Sequence, residues 1–371
     1  MFALLFLLLI LAFSTALNAT AQNRLCEQIQ IPPTQSLKDA PALSPLLKTS
    51  NGETITTKKQ WSKQRAVLKS DWENFMGAFP KKRAPLKAEF LAKEDLPTFT
   101  RQYVKYQIED GVFTDGYLLR PKNLKGKFPV IVVFHPTTPF QARGVAGLEA
   151  DYDMEKRQGI HLVERGYVVW CPRNFIFDEG TGETPNAKMW TANAKRVQEL
   201  HLNWTAMARM TFDAMRAADF VESLPNVDKN RIGCIGHSLG AKVALYAAAF
   251  DERYKASVSS EGGIGLKFSN WDAAWYLGPK IKETNFNLEN HQVLSLVAPR
   301  AFLLLAGDSA DNDKSWSFME ATIPVYKLFG AEKNLGWFNH HQGHRYSPEA
   351  RTMAEAFLDK HLNKPFVETA R

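Results

Sequence analysis

The 371-residue sequence predicts an α/β protein in which helices cover both faces of a mainly parallel central sheet. Three observations lead to this prediction. Continuous apolar runs recur along the chain, as in strands that are buried on both faces. Segments with apolar residues at helical spacing separate most of those runs. Two alternating segments, 101–108 and 112–119, come before them and predict an antiparallel hairpin at the edge of the sheet.

The chain before this hairpin divides into a leader and an extension. Residues 1–21 join an apolar run to an Ala-x-Ala cleavage pattern, which predicts a secretory signal peptide and a secreted or periplasmic protein. An uncleaved anchor helix is the alternative, but the apolar run is short for a bilayer, so we expect no stable membrane insertion. Residues 22–100 are expected to form an N-terminal extension with one helix, from Lys58 to Gly77, and residues 101–371 the main domain.

The elements after the hairpin alternate between strands and helices. The helix near 204–224, for example, places Met207, Met210 and Ala214 on one apolar stripe. The predicted series is strand 129–135, helix 154–165, strand 167–170, helix 204–224, strand 232–235, helix 239–250, strand 256–260, strand 301–306, helix 316–329, strand 335–338 and helix 348–362. Segments 174–202 and 266–288 show no readable pattern and are expected to be specificity loops.

Composition and charge restrict the class of partner. The chain is 45% hydrophobic with a net charge of +7, and segment 48–93, with eleven Lys or Arg and four Asp or Glu, accounts for the excess. This segment is interpreted as the solvated face of a Lys-rich helix. The alternative is a basic surface that weakly attracts an anionic polymer. The sequence has no basic motif interleaved with aromatic residues, so we expect no nucleic-acid partner. Cys171 and Cys234 lie in apolar strands and are predicted to be buried free thiols.

A serine occupies a tight turn between a predicted strand and a predicted helix. Gly236-His-Ser-Leu-Gly240 follows the G-x-S-x-G pattern, in which a strained turn presents a nucleophilic serine. Ser238 is therefore the candidate nucleophile, although an ordinary turn is the alternative. The backbone amide of Leu239 is expected to bind an oxyanion, together with that of Thr137, which follows strand 129–135.

A serine nucleophile needs a base, and His344 is the best candidate because it lies between the last strand and the last helix. His340 and His341 are its competitors. The spacing of His340 and His344 also fits a metal site, but no carboxylate or cysteine clusters with them in the sequence. We therefore expect no metal and no organic cofactor.

Two acidic residues compete to orient the histidine. Asp311 follows the strand 301–306 and is preferred, since the usual chain order of such triads is serine, acid, histidine. Glu261 ends the strand 256–260 and opens a glycine-rich loop, where it could be the triad acid or contact the substrate. The residues leave both alternatives open.

These motifs resemble the α/β-hydrolase superfamily over residues 103–362. Segments 203–216 and 228–240 are similar to dienelactone-hydrolase-like and acetyl-xylan-esterase-like proteins, and segment 291–300 with its acidic loop to polysaccharide esterases, including glucuronoyl esterases. In glucuronoyl esterases a Glu soon after the nucleophile strand can be the triad acid, and Glu261 and Lys242 match residues of that group. Leu239 stands where glucuronoyl esterases carry Arg, and Ser238 where dienelactone hydrolases carry Cys.

The resemblance and the candidate site together predict an exported serine ester hydrolase. The expected substrate is a small-molecule or polysaccharide ester, such as acetylated xylan, because exposed tryptophans can stack on sugar rings. The candidate stacking residues are Trp170, Trp190, Trp204, Trp271 and Trp275. Two alternatives are a serine peptidase of the same fold and a non-catalytic binding protein on that scaffold.

Overall fold

The computed structural model describes residues 28–33, 39–122, 126–178 and 186–362. The predicted signal peptide and Cys26 lie outside these residues. Within them, no helix is both long enough and apolar enough to cross a membrane. Cys171 and Cys234 are free and buried, as predicted, and burial raises the pKa of the Cys234 thiol to about 12.

The described residues form one nine-stranded sheet in the order β1-β2-β3-β5-β4-β6-β7-β8-β9. The strands are β1 (Glu89–Asp95), β2 (Phe99–Glu109), β3 (Val112–Pro121), β4 (Phe128–Phe134), β5 (Val168–Pro172), β6 (Val227–His237), β7 (Tyr254–Ser260), β8 (Ala301–Ala306) and β9 (Leu335–Asn339). The strand pairs β5-β4, β4-β6, β6-β7, β7-β8 and β8-β9 are parallel. The pairs β1-β2, β2-β3 and β3-β5 are antiparallel. The α/β class, the parallel centre and the hairpin edge are confirmed.

Nine α-helices accompany the sheet in the described part of the chain. They are α1 (Lys58–Met76), α2 (Gln141–Val145), α3 (Gln158–Glu164), α4 (Ala187–Leu200), α5 (Ala206–Ser223), α6 (Leu239–Phe250), α7 (Asn290–Ser295), α8 (Trp316–Phe329) and α9 (Pro348–His361). Residues of α1 and α4 to α8 pack in one apolar cluster, and residues of α2, α3 and α9 in the other. Strand β4 contributes Val130 and Val132 to the first cluster and Ile131 and Val133 to the second. Both faces of the sheet are therefore covered.

The N-terminal segment packs onto this core. Helix α1 starts from a capping box of Thr57 and Gln60 and buries Trp61 and Trp72 in the larger apolar cluster. Strand β1 extends the sheet to Glu89, ahead of the boundary expected near residue 101. All seven residues of β1 are exposed, so the strand lacks the apolar alternation that would have predicted it.

Two other segments differ from the sequence prediction. The helix predicted for 154–165 is shorter, because the Asp153 carboxylate accepts the Glu155 N–H in a turn and α3 begins only at Gln158. Segment 174–202 was expected to be a loop but contains α4. Asn186 caps that helix by accepting the N–H groups of Lys188 and Met189.

Candidate active site

The turn at Ser238 joins β6 directly to α6. Ser238 has φ 58° and ψ −116°, a left-handed conformation that side-chain-bearing residues rarely adopt. A Cβ on Gly236 would overlap the backbone of Gly240, and a Cβ on Gly240 would overlap the carbonyl of Phe134. The Ser238 N–H donates to the Ser260 carbonyl at 2.8 Å. The two glycines thus permit the strained turn, and β7 anchors it.

His344 connects this serine to a carboxylate. Its Nε2 lies 3.0 Å from Ser238 Oγ, and its Nδ1 lies 3.0 Å from Glu261 Oε2. The ring comes from the loop between β9 and α9, where the sequence placed the base. The competitors have other partners: His341 Nδ1 lies 2.7 Å from Asp308 Oδ2, and His340 Nδ1 accepts the Gln342 N–H.

The carboxylate beside His344 belongs to Glu261, directly after β7. Its side chain is fully buried, and Oε2 also accepts the Ala310 N–H at 2.9 Å. The backbone of Glu261 is left-handed, with φ 55°, and its N–H donates to the Leu305 carbonyl on β8. A buried carboxylate in this place can fix the imidazole and stabilise its protonated form.

The preference for Asp311 as the partner of His344 does not match the structure. The Asp311 carboxylate accepts the N–H of Gly263 at 2.7 Å, the N–H of Ile264 at 2.8 Å and the Ser315 hydroxyl at 2.9 Å. The N–H groups of Gly307 and Asp308 both donate to the Asp311 carbonyl, which folds the loop back on itself. Chain order identified the loop after β8, but this fold turns the side chain away from the histidine.

The two candidate oxyanion donors are the backbone amides of Leu239, directly after the nucleophile, and of Thr137, in the wall of the same cavity. Leu239 is the first residue of α6, so its N–H has no acceptor within the helix and lies at the positive end of the helix dipole. Thr137 lies after β4 and lines the same cavity as Ser238 and His344. The sequence prediction placed both residues beside the serine, and their role as donors remains a prediction.

A cavity of about 240 Å³ opens beside Ser238. The residues that line it are Thr137, Trp190, Ser238, Lys242, Glu261, Gly262, Ser269, Asn270, Trp275, Tyr276, Ala310 and His344. Several come from the two segments that had no readable pattern, 174–202 and 266–288. Trp190 and Trp275 were already among the candidate stacking residues, whereas nothing local in the sequence marked Ser269 or Asn270.

Lys242 brings a buried amine to this cavity. Its Nζ donates to the Gly262 carbonyl and, at 2.8 Å, to Ser269 Oγ, and it lies 4.3 Å from the centre of the Trp271 ring. Burial lowers the pKa of this amine to about 7, and the charge of Asp311 opposes that shift. A donor that changes charge near neutral pH therefore faces the cavity.

The five tryptophans that the sequence offered as candidate stacking residues separate into two groups. Trp170, Trp204 and Trp271 are buried in the core. Trp190 and Trp275 are half-buried, line the cavity and meet edge to face with ring centres 5.4 Å apart. Only these two are placed to contact a substrate, so the structure reduces the candidate stacking residues from five to two.

His237 lies behind the catalytic histidine. It is buried, its Nδ1 lies 3.1 Å from Ser260 Oγ, and its ring centre is 4.9 Å from that of His344. Burial, together with the nearby His344, holds the pKa of His237 well below its usual value. The neutral ring therefore adds no positive charge beside the base.

One group of side chains has the composition of a metal site. Polar atoms of Asp308, Asp313 and His341 lie within 4.8 Å of one another. The side-chain amide of Asn339 donates to both carboxylates, and His341 already contacts Asp308. This grouping differs from the pair His340 and His344 that the sequence suggested, and the expectation that no metal is needed stays a prediction.

Comparisons with known proteins place part of the chain in a family. Residues 114–289 match the model of the Dienelactone hydrolase family. The chain contains a dienelactone hydrolase family domain. It is 25% identical over 252 residues to the Bacillus subtilis protein YtaP, which is named as a hydrolase, and the match covers 66% of this chain and 80% of that one.

Solved structures that share this fold include proteins named as esterases. A glucuronoyl esterase from Solibacter usitatus has a TM-score of 0.65 at 20% identity and covers 86% of this chain and 99% of its own. A Bacteroides fragilis protein assigned as an acetyl xylan esterase has a TM-score of 0.60 at 17% identity, covering 80% of this chain and 79% of its own. The dienelactone hydrolase family domain lies within an α/β-hydrolase fold, and these findings together support a carboxylic ester hydrolase.

Proposed function

We propose that the chain is a serine ester hydrolase that uses Ser238, His344 and Glu261 as its catalytic triad. The observation that carries the proposal is the unbroken series of contacts from Ser238 Oγ through both ring nitrogens of His344 to Glu261 Oε2, each 3.0 Å long. Acyl transfer by a serine hydrolase needs a nucleophile, a base within hydrogen-bond reach and a group that orients the base.

The first half of the reaction forms an acyl-enzyme. His344 Nε2 removes the Ser238 hydroxyl proton as Oγ attacks the ester carbonyl carbon. Glu261 stabilises the imidazolium that results, through the hydrogen bond at Nδ1. The backbone amides of Leu239 and Thr137 donate to the oxyanion of the tetrahedral intermediate. The intermediate collapses when His344 returns its proton to the leaving alcohol.

The second half releases the acid. A water molecule takes the place of the alcohol, and His344 removes its proton as the oxygen attacks the acyl carbon. The second tetrahedral intermediate uses the same amides. Its collapse returns the proton to Ser238 Oγ and frees the carboxylic acid. No step of this scheme requires a metal or an organic cofactor.

A carbohydrate ester is the substrate class that the surface favours. Trp190 and Trp275 line the cavity beside Ser238, and a groove of about 1300 Å³ begins at Ser269, which lines both the groove and the catalytic cavity. The groove is lined by both apolar and charged side chains, Phe268 and Phe286 among the former and Asp272 and Lys282 among the latter. Such a surface suits a neutral sugar chain.

Acetyl esters are preferred over glucuronoyl esters within that class. The structural neighbours include both a glucuronoyl esterase and a protein assigned as an acetyl xylan esterase. Leu239 is fully buried and apolar at the position where the resemblance to glucuronoyl esterases would require Arg. The acyl group beside Ser238 therefore lacks that cationic partner, which favours acetate on a xylan-like chain.

Export is part of the same proposal. The apolar run and cleavage pattern of residues 1–21 are those of a signal peptide, and a polysaccharide substrate would lie outside the cytoplasm. We assign the catalytic domain from β1 onward, since β1 pairs with β2 in the central sheet, and assign α1 to an N-terminal extension that packs against that domain.

The experiment is acetate release from acetylated xylan, measured beside methyl glucuronate and p-nitrophenyl acetate. We expect the wild type to release acetate and the Ser238→Ala variant to lose on the order of 10⁴-fold or more in kcat. Ser50→Ala, at an exposed serine outside the site, is the matched control and should retain full activity. Folded wild-type protein that cleaves none of these esters would contradict the proposal and favour a peptidase or a non-catalytic protein.

A further inference from the structure

Two loops at the edge of the active site hold each other through buried carboxylates. One follows β7 and contains Glu261 and Gly263, and the other follows the neighbouring parallel strand β8 and contains Ala310 and Asp311. Glu261 Oε2 accepts the Ala310 N–H at 2.9 Å. In the opposite direction, the Asp311 carboxylate accepts the N–H groups of Gly263 and Ile264. Each acid thus binds the backbone of the other's loop, in an arrangement we call the reciprocal clasp.

The clasp brings two acidic side chains together in the interior of the protein. Both carboxylates are buried, where an ionised group is unfavourable unless donors surround it. Asp311 has three donors, the third being the Ser315 hydroxyl at 2.9 Å. Burial and the neighbouring charge of Glu261 raise the pKa of Asp311, whereas its two backbone donors oppose that shift.

The clasp also fixes strained backbone. Glu261 has φ 55° and Gly263 has φ 74°, so the chain passes through left-handed conformations on both sides of Gly262. For Glu261 this conformation is unfavourable and persists only where the surroundings enforce it. The two bonds from Asp311 fall on the second and third residues after Glu261, which is where they can enforce it.

We propose that Asp311 is a positioning residue that holds Glu261 against His344, in a site whose catalytic acid is Glu261. This inference rests on the proposed function. Asp311 does not itself touch the histidine; it fixes the loop from which the Glu261 side chain projects. Asp311, which the sequence favoured as the triad acid, would then act through Glu261, which takes that place in the proposed triad.

Loss of this support would change the ionisation of His344. The titratable groups near its ring include Glu261 at the end of β7, His237 at the end of β6, which burial keeps neutral, and Lys242 on α6, which lines the same cavity. Glu261 is the single anion among these and stabilises the imidazolium. If Glu261 moves away, the protonated form of His344 loses stability, and the acid limb of the pH profile of kcat/KM moves to lower pH.

The test compares Asp311→Asn, Glu261→Gln and the double variant on p-nitrophenyl acetate. The side-chain NH₂ group of asparagine cannot accept a hydrogen bond from a backbone N–H. The substitution therefore removes part of the clasp without leaving a cavity. We expect Asp311→Asn to lower kcat about 10- to 100-fold, as small displacements of catalytic groups do, with little change in KM. Its acid limb should move in the same direction as in Glu261→Gln, and the double variant should lose no more than Glu261→Gln alone.

Asp313→Asn is the matched control, since Asp313 lies on the same loop but accepts from Asn339 rather than from the Glu261 loop. It should leave kcat and the acid limb unchanged. If Asp311→Asn does not fold, Ser315→Ala removes one of its donors and should give a smaller loss with the same shift of the limb.

Three results would overturn the inference. They are additive losses in the double variant, an unmoved acid limb in Asp311→Asn, or equal behaviour of Asp311→Asn and Asp313→Asn. Full activity of Glu261→Gln would instead contradict the triad assignment, and so would separate a failure of the proposed function from a failure of the clasp.

Discussion

The serine turn and the pair of acidic loops are two halves of one site, built in different ways. The turn is local: Gly236 and Gly240 lie two positions from Ser238, and the strand and helix that they join are continuous in sequence. The acid is assembled at long range, since Glu261 and His344 are 83 positions apart. A local constraint leaves a readable pattern, whereas a long-range contact leaves only a choice between candidate residues.

The largest effect is expected from breaking the local half. Gly240→Ala places a Cβ on the Phe134 carbonyl, and we expect a loss of about 3 kcal/mol or more in the free energy of unfolding, together with activity. Thermal and denaturant unfolding of the purified protein measure this.

Gly330→Ala is the control for that substitution. Gly330 ends α8 in a left-handed conformation with open space around it, so the variant should lose only about 1 kcal/mol from backbone strain. Equal losses at the two glycines would show that the tight packing of the turn is not what matters.

A second effect on stability, of comparable size, concerns the buried amine of Lys242. Its pKa is lowered to about 7 in the folded state, so between that value and its ordinary 10.5 the unfolded chain binds more protons. The stability of the wild type should therefore rise with pH across this window, by up to about 1.4 kcal/mol per pH unit from this residue.

Lys242→Met should remove that dependence while keeping the volume of the side chain. The measurement is the free energy of unfolding at pH 7, 8.5 and 10 for both proteins. A slope that is the same in the variant and in the wild type would show that the amine does not titrate in this range.

A smaller effect is expected at the substrate-facing tryptophans. Trp190→Ala should raise KM for acetylated xylan about fivefold, the equivalent of about 1 kcal/mol of apolar contact, and leave KM for p-nitrophenyl acetate almost unchanged. Trp316→Ala removes a half-buried tryptophan outside the cavity and is the control. Equal changes for both substrates would place Trp190 outside the sugar contact.

The smallest effect is expected from metal removal. Treatment with a chelator should leave ester hydrolysis unchanged, because the proposed scheme uses only Ser238, His344 and Glu261 with backbone amides. Atomic emission of the treated protein checks that divalent cations have been removed. A loss of activity that returning a cation restores would assign a role to the group of Asp308, Asp313 and His341.

The sequence was sufficient for the parts that depend on periodicity and on local motifs. The parallel strands, the hairpin and the Ser238 turn follow from apolar runs and from glycine spacing, and His344 from its place before the last helix. Strand β1 was missed because its side chains are all exposed, and α4 because its cap and apolar spacing lie in a segment taken for a loop. Chain order favoured Asp311, whereas the structure brings Glu261 to His344, because the direction of a side chain in a loop depends on contacts that are distant in sequence.

The most direct test of the triad is labelling with a serine-directed phosphonate, located by mass spectrometry of peptides. We expect one covalent adduct on Ser238 in the wild type and none in Ser238→Ala, with slower labelling in Glu261→Gln and a rate close to wild type in Asp313→Asn. An adduct on another serine, or no adduct in folded wild-type protein, would contradict the central claim that Ser238 is a nucleophile activated by His344 and Glu261.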